Sequence, residues 1–129
     1  MSLGFVKLAL AMKEGEEEFK KVFDEASDET ILSYLNSCID EYEDHTKGNP
    51  DDTVNDKNGI LKSFTYCAEY NDPKIALTAK YWKGVCLSEG FGTSINKLEA
   101  KALFKEVVEN DSTDNHLKNE AQARFEAIL

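Results

Sequence analysis

Backbone breakers are scarce: the chain has two prolines and seven glycines in 129 residues. Few points therefore force the backbone out of regular structure, and long helical segments are allowed. No apolar run approaches the ~20 residues that span a bilayer as a helix. The apolar start, Leu3 to Met12, contains Lys7 and lacks a basic leader and a small-residue cleavage site, so it does not read as a signal peptide. Positive charge is also short, with 15 Lys and Arg against 25 Asp and Glu and a net charge of −10. Neutralising phosphates requires clustered Lys and Arg, so neither nucleic acid nor an anionic membrane surface is an expected partner. A basic protein partner is permitted, although acidity also serves solubility alone.

Chemistry-bearing residues are thin as well. His45 and His116 lie far apart with no companions at ligand spacing, so no metal is expected. No Ser–His–Asp or Cys–His grouping has local support, and no glycine-rich phosphate loop follows a strand. No cofactor and no catalytic residue is expected. Cys38, Cys67 and Cys86 each fall on an apolar helical face and read as buried free thiols in a reducing compartment. The composition, 41% hydrophobic and 31% charged, suits one folded domain over residues 1–129.

What is present is helical periodicity. Phe5, Leu8, Ala9 and Met12 share a face, and after Gly15 the pattern returns at Phe19, Val22, Phe23 and Ala26. This is one helix or two, with Gly15 as the break. Glu14, Glu16, Glu17 and Glu18 suit the N-terminal end of the second piece. Ser27-Asp28-Glu29 reads as a cap with an acidic first turn. Ile31, Leu35, Cys38 and Tyr42 then form a stripe, reinforced by Leu32 and Ile39. The acids of Asp40-Glu41-Tyr42-Glu43-Asp44 fall on its polar face, where nothing raises a carboxyl pKa for acid–base work. Lys47 to Gly59 is polar and reads as a connector. Its Asp56-Lys57-Asn58-Gly59-Ile60-Leu61 matches the centre of a calcium loop. The first and twelfth loop positions would be Val54 and Thr65, which cannot supply the required ligands. Ile60, Leu61, Phe64, Cys67 and Ala68 make the next stripe.

The best-defined stretch is Ala79 to Gln122. Asp72-Pro73 starts a helix by capping and by placing Pro where no donor is needed. Ile75, Ala79, Trp82 and Cys86 follow at helical spacing, which puts Trp82 in the core. Gly90-Phe91-Gly92 ends the run, and Phe91 can fold back over the hairpin. Asn96 caps a second helix whose Ala100, Leu103, Phe104, Val107 and Val108 form a buried stripe. The small Ala100 and Ala102 would allow a neighbouring helix to come close. Asn110 to Asp114 breaks the pattern with turn formers. Leu117, Ala121, Phe125 and Ile128 then resume it.

Ala79, Gly84, Gly90, Gly92, Lys97, Ala100, Phe104 and Ala121-Gln122 together resemble a Sel1-like repeat, over about a third of the chain. The chain departs from that pattern at Lys83, Leu87, Thr93, Glu99 and Val107-Val108, and its connector from Asp111 to Glu120 is longer than usual. The resemblance implies a packing role for Gly84, which otherwise costs about 1 kcal/mol in a helix interior relative to Ala. Some secreted Sel1-like proteins carry paired cysteines in each repeat. That pairing is missing here, which points to a cytoplasmic member.

The resulting expectation is an all-α protein of five to seven helices: antiparallel hairpins stacked as a short Sel1/tetratricopeptide-like α-solenoid, with an irregular bundle as the other arrangement. Residues 1–26 would cap one end, 28–71 would form a degenerate helix–loop–helix unit, and 72–129 would hold the repeat and a closing helix. The resemblance implies a non-catalytic adaptor for a peptide or helix of a partner protein, contacted through Lys80, Tyr81, Lys83 and Glu89. The alternative is a small acidic chaperone or inhibitor of a basic protein. A monomer or weak homodimer, or part of a longer array, would fit either.

Overall fold

A computed structural model describes residues 3–48 and 55–128 of the chain. These form seven helices and no strand: α1 (Leu3–Glu14), α2 (Glu16–Glu25), α3 (Asp28–Lys47), α4 (Lys57–Ala68), α5 (Pro73–Glu89), α6 (Lys97–Glu109) and α7 (Asn115–Ala127). Residues 49–54 of the expected connector, including Val54, lie outside the described residues.

The helix starts follow from their cap residues. Ser27, Asp56, Asp72, Asn96 and Asp114 each accept a hydrogen bond from a backbone N–H of the first turn. Each such cap is worth about 1 kcal/mol over alanine. Asp56, the residue that suggested a calcium loop, is therefore engaged with Gly59 N at 2.7 Å. Gly15 separates α1 from α2 at φ 139°, and Gly90 ends α5 at φ 74°. Both values lie in the region where glycine avoids the strain of a side chain. Gly92, also at φ 74°, would place a Cβ 2.5 Å from the carbonyl oxygen of Lys57. Only glycine lets this turn lie against the start of α4.

Packing follows a regular order. α5 lies between α4 and α6, α6 contacts α7, and α3 contacts α4. α1 also contacts α2. In addition α1 meets α3, α3 meets α5, and α5 meets α7, so the odd-numbered helices stand in one row. α2 reaches α4 through Phe19 and Phe23 on Tyr66, and through the Lys62–Glu16 ion pair. Aromatic rings link the helices: Phe5, Tyr34 and Phe19 join α1, α3 and α2, while Tyr42, Trp82 and Phe64 join α3, α5 and α4. Full burial of one such ring contributes about 1.5–3 kcal/mol. Tyr34 is buried with its polar end satisfied. Ser63 Oγ donates to Gly59 O at 2.8 Å, which leaves Tyr34 as the donor in the 2.6 Å contact between the two hydroxyls.

Gly84 is a point of close approach. A Cβ there would lie 2.8 Å from the buried Phe104 ring of α6. Cys38, Cys67 and Cys86 are buried free thiols. Phe91 folds back and is buried against Tyr42 and His45.

Four expectations change. Leu32 does not reinforce the α3 stripe but is 43% exposed, and Ala102 is exposed on α6. Trp82 is half-buried rather than core, whereas Tyr81 is only 4% exposed. Glu41 is not on a solvated face: it is 5% exposed, and its Oε1 accepts from Asn55 N at 3.2 Å and Asn55 Nδ2 at 3.0 Å. A long side chain at the margin of a helical stripe turns inward when a buried donor awaits it.

Candidate functional site

The odd-numbered row carries a surface on which aromatic and charged side chains meet. At its centre is the C-terminal half of α5. The helical repeat places Trp82 and Glu89 seven residues apart on one side, and Tyr81 a step around. Trp82 leans on Tyr42 of α3 at 5.3 Å between ring centroids and on Phe64 of α4 at 6.5 Å. Tyr81 stands perpendicular to it, with the ring planes at 89°. The tryptophan is thus held among rings yet stays partly exposed.

Glu89 links three helices. Tyr42 of α3 donates its hydroxyl to Glu89 Oε1, and Arg124 of α7 approaches Oε2 at 3.6 Å. Arg124 also donates from Nε to the Tyr81 hydroxyl at 3.2 Å and lies over the Tyr81 ring. Burial, together with the hydrogen bond to a carboxylate, pushes the Tyr42 phenol above its ordinary range. Partial burial works against the Arg124 cation, but the Tyr81 hydroxyl and the Glu89 charge outweigh it and raise its pKa. The surface ion pair itself contributes at most about 1 kcal/mol. Its role is geometric, because it fixes the direction of a guanidinium over the Tyr81 ring.

The four residues expected to bind a partner fall into two groups. Glu89 and Tyr81 belong to the network just described, but buried Tyr81 reaches solvent only through its neighbours and acts as a support for Arg124. Lys80 and Lys83 point instead toward α6, where they meet Glu106 at 2.8 Å and Glu99 at 3.9 Å. The structure therefore does not join all four on one face. Tyr42, Trp82 and Arg124 complete the site. Arg124 had no sequence signal beyond its place on a polar helix face, since its role depends on where α7 docks.

Among the described residues no cluster of His, Cys, Asp and Glu is arranged to hold a metal, and no helix is long and apolar enough to cross a membrane. No protein-family model, curated protein sequence or solved structure matches the chain.

Proposed function

We propose that the chain is a non-catalytic protein-interaction module, a short Sel1/tetratricopeptide-like α-solenoid, that takes a peptide or helix of a partner across α3, α5 and α7. The observation that carries this reading is Trp82: a partly exposed indole packed on Tyr42, Phe64 and Tyr81, two of which are themselves hydrogen-bonded to Glu89 and Arg124. Tryptophan, tyrosine and arginine are the residue types that most often dominate binding energy, and pre-fixed side chains lose little entropy on association. The contacts between successive odd-numbered helices support the solenoid arrangement, because stacked hairpins bring their first helices into one row. Three free buried thiols suit a cytoplasmic setting, as a monomer or weak homodimer.

The test is a pull-down at low and high salt with the chain and with Trp82→Ala and Glu89→Ala variants whose helix content is unchanged. A discrete protein retained at high salt and lost with Trp82→Ala supports the reading. The same protein retained equally by the variants refutes this face. Partners that are all basic and all released by salt favour instead an acidic chaperone or inhibitor, since long-range attraction is screened within about 10 Å at 0.1 M.

A further inference from the structure

Between α2 and the C-terminal end of α4 lies an open groove of about 490 Å³. That is within the size range of small-ligand sites. Its apolar wall is aromatic: Phe23 of α2, with Tyr66 and Tyr70 at 5.9 Å and 5.8 Å between ring centroids. The rings do not lie parallel. Tyr66 is inclined to Phe23 by 49° and Tyr70 by 83°, so they form a corner and not a flat stack. Both tyrosines are half-buried, which leaves ring surface open.

The charge around this corner is mostly negative. Asp24 and Glu69 line the groove, and both are exposed. Asp28 accepts the Tyr70 hydroxyl, and Asp72 adds negative potential at the same phenol. Lys20 is the opposing cation on the wall. A second depression of about 260 Å³ shares Tyr66 and Glu69 and continues the groove along α4. Its own charges are matched there, with Lys62 on Glu16 at 2.8 Å.

We propose that this groove binds a basic peptide segment of a partner protein through an arginine side chain, seated in the corner of Phe23, Tyr66 and Tyr70 with its charge facing Asp24 and Glu69. Ring faces carry negative potential and attract cations. A planar guanidinium stacks on a ring while its N–H fork meets carboxylates at the rim, which a lysine ammonium cannot do equally well. The chain's net charge of −10 draws basic segments toward the surface without selecting among them. The aromatic corner supplies the selection. This site is separate from the Trp82 face and does not depend on it.

Fluorescence anisotropy with labelled hexa-arginine and hexa-lysine peptides, at about 0.15 M salt to screen diffuse attraction, tests the proposal. The arginine peptide should bind about fivefold more tightly than the lysine peptide. Tyr66→Leu should weaken arginine binding about fivefold through the lost ring. Glu69→Gln and Asp24→Asn, both at exposed positions, should each weaken it about two- to threefold, and Lys20→Gln should strengthen it by a similar factor. Tyr66 also packs on Phe19, so nuclear magnetic resonance of the unaltered chain provides a second readout: ring-proton shifts at Tyr66 and Tyr70, and none at the Trp82 indole. Absence of binding, equal affinity for the two peptides, or shifts spread over the acidic surface would overturn the assignment.

Discussion

Replacing Gly84 with alanine separates two opposed effects that the structure allows to be weighed. In a helix interior alanine is favoured over glycine by about 1 kcal/mol. Here the added Cβ would lie 2.8 Å, 3.0 Å and 3.3 Å from Cε1, Cζ and Cδ1 of Phe104. Ordinary carbon contacts are about 3.5–4.0 Å. The ring must therefore move by several tenths of an ångström, and it is fully buried and backed by Tyr81 at 5.7 Å. Overpacking of this kind costs about 1–3 kcal/mol. The net expectation is a loss of about 1 kcal/mol, or about 4 °C in Tm for a chain of this size. The decisive comparison uses Phe104→Leu, which removes the two nearest ring atoms. In that background Gly84→Ala should be neutral or stabilising by up to about 1 kcal/mol, a coupling of about 1–2 kcal/mol between the sites. Urea unfolding followed by circular dichroism and by Trp82 fluorescence measures all four corners of the cycle. Stabilisation of the natural chain by Gly84→Ala, or an equal cost in both backgrounds, would refute the packing argument.

Three further outcomes are expected. Glu41→Ala removes the acceptor for two Asn55 donors at a residue 2% exposed and should cost about 2 kcal/mol in the same unfolding assay; Glu41→Gln, which keeps an acceptor oxygen, should cost less. Burial pushes all three thiols up, Cys67 and Cys86 to about 12, so a thiol-specific disulfide reagent near neutral pH should react at least about a hundredfold more slowly with the native chain than with the unfolded one. The hydrogen bond to Asp28 holds the Tyr70 phenol at about 12 against an ordinary 10.0. The folded state then keeps a proton that the unfolded state releases, so this stability is complete below about pH 10, falls as pH rises and is gone above the folded value, and Asp28→Asn should flatten the alkaline part of the stability profile.

Much of the architecture was legible because its signals are local. Asp72-Pro73, Ser27 and Asn96 act on amide groups two or three residues away, and such a contact needs no knowledge of the rest of the chain. The same holds for Gly90 at positive φ, which ends α5 wherever the helix happens to dock. The separation of α1 from α2 at Gly15 is equally local. The pattern at Phe5, Leu8 and Met12, or at Ile31, Leu35 and Cys38, correctly marks the side of each helix turned to the core.

The site was less legible because a stripe records the direction of burial but not its edges. Trp82 and Tyr81 are adjacent on α5, and which of them is covered is decided by α6 and α7, which bring Phe104 and Arg124 against Tyr81. α7 brings Arg124 over Tyr81 and leaves Trp82 partly exposed. Trp82, expected in the core, is only partly buried, while Tyr81, about 100° away on the helix, is buried. Lys80 and Lys83 were drawn onto the same face by their position on α5, although the carboxylates that hold them belong to α6. The α2–α4 groove shows the same limit from the other side. Phe23 sits in one stripe and Tyr66 and Tyr70 flank another, and each reads alone as packing. Only the meeting of two helices more than forty residues apart turns the three rings into a corner with carboxylates at its rim. What a single sequence conveys about this protein is therefore strongest within one helix and weakest where a surface is assembled from several.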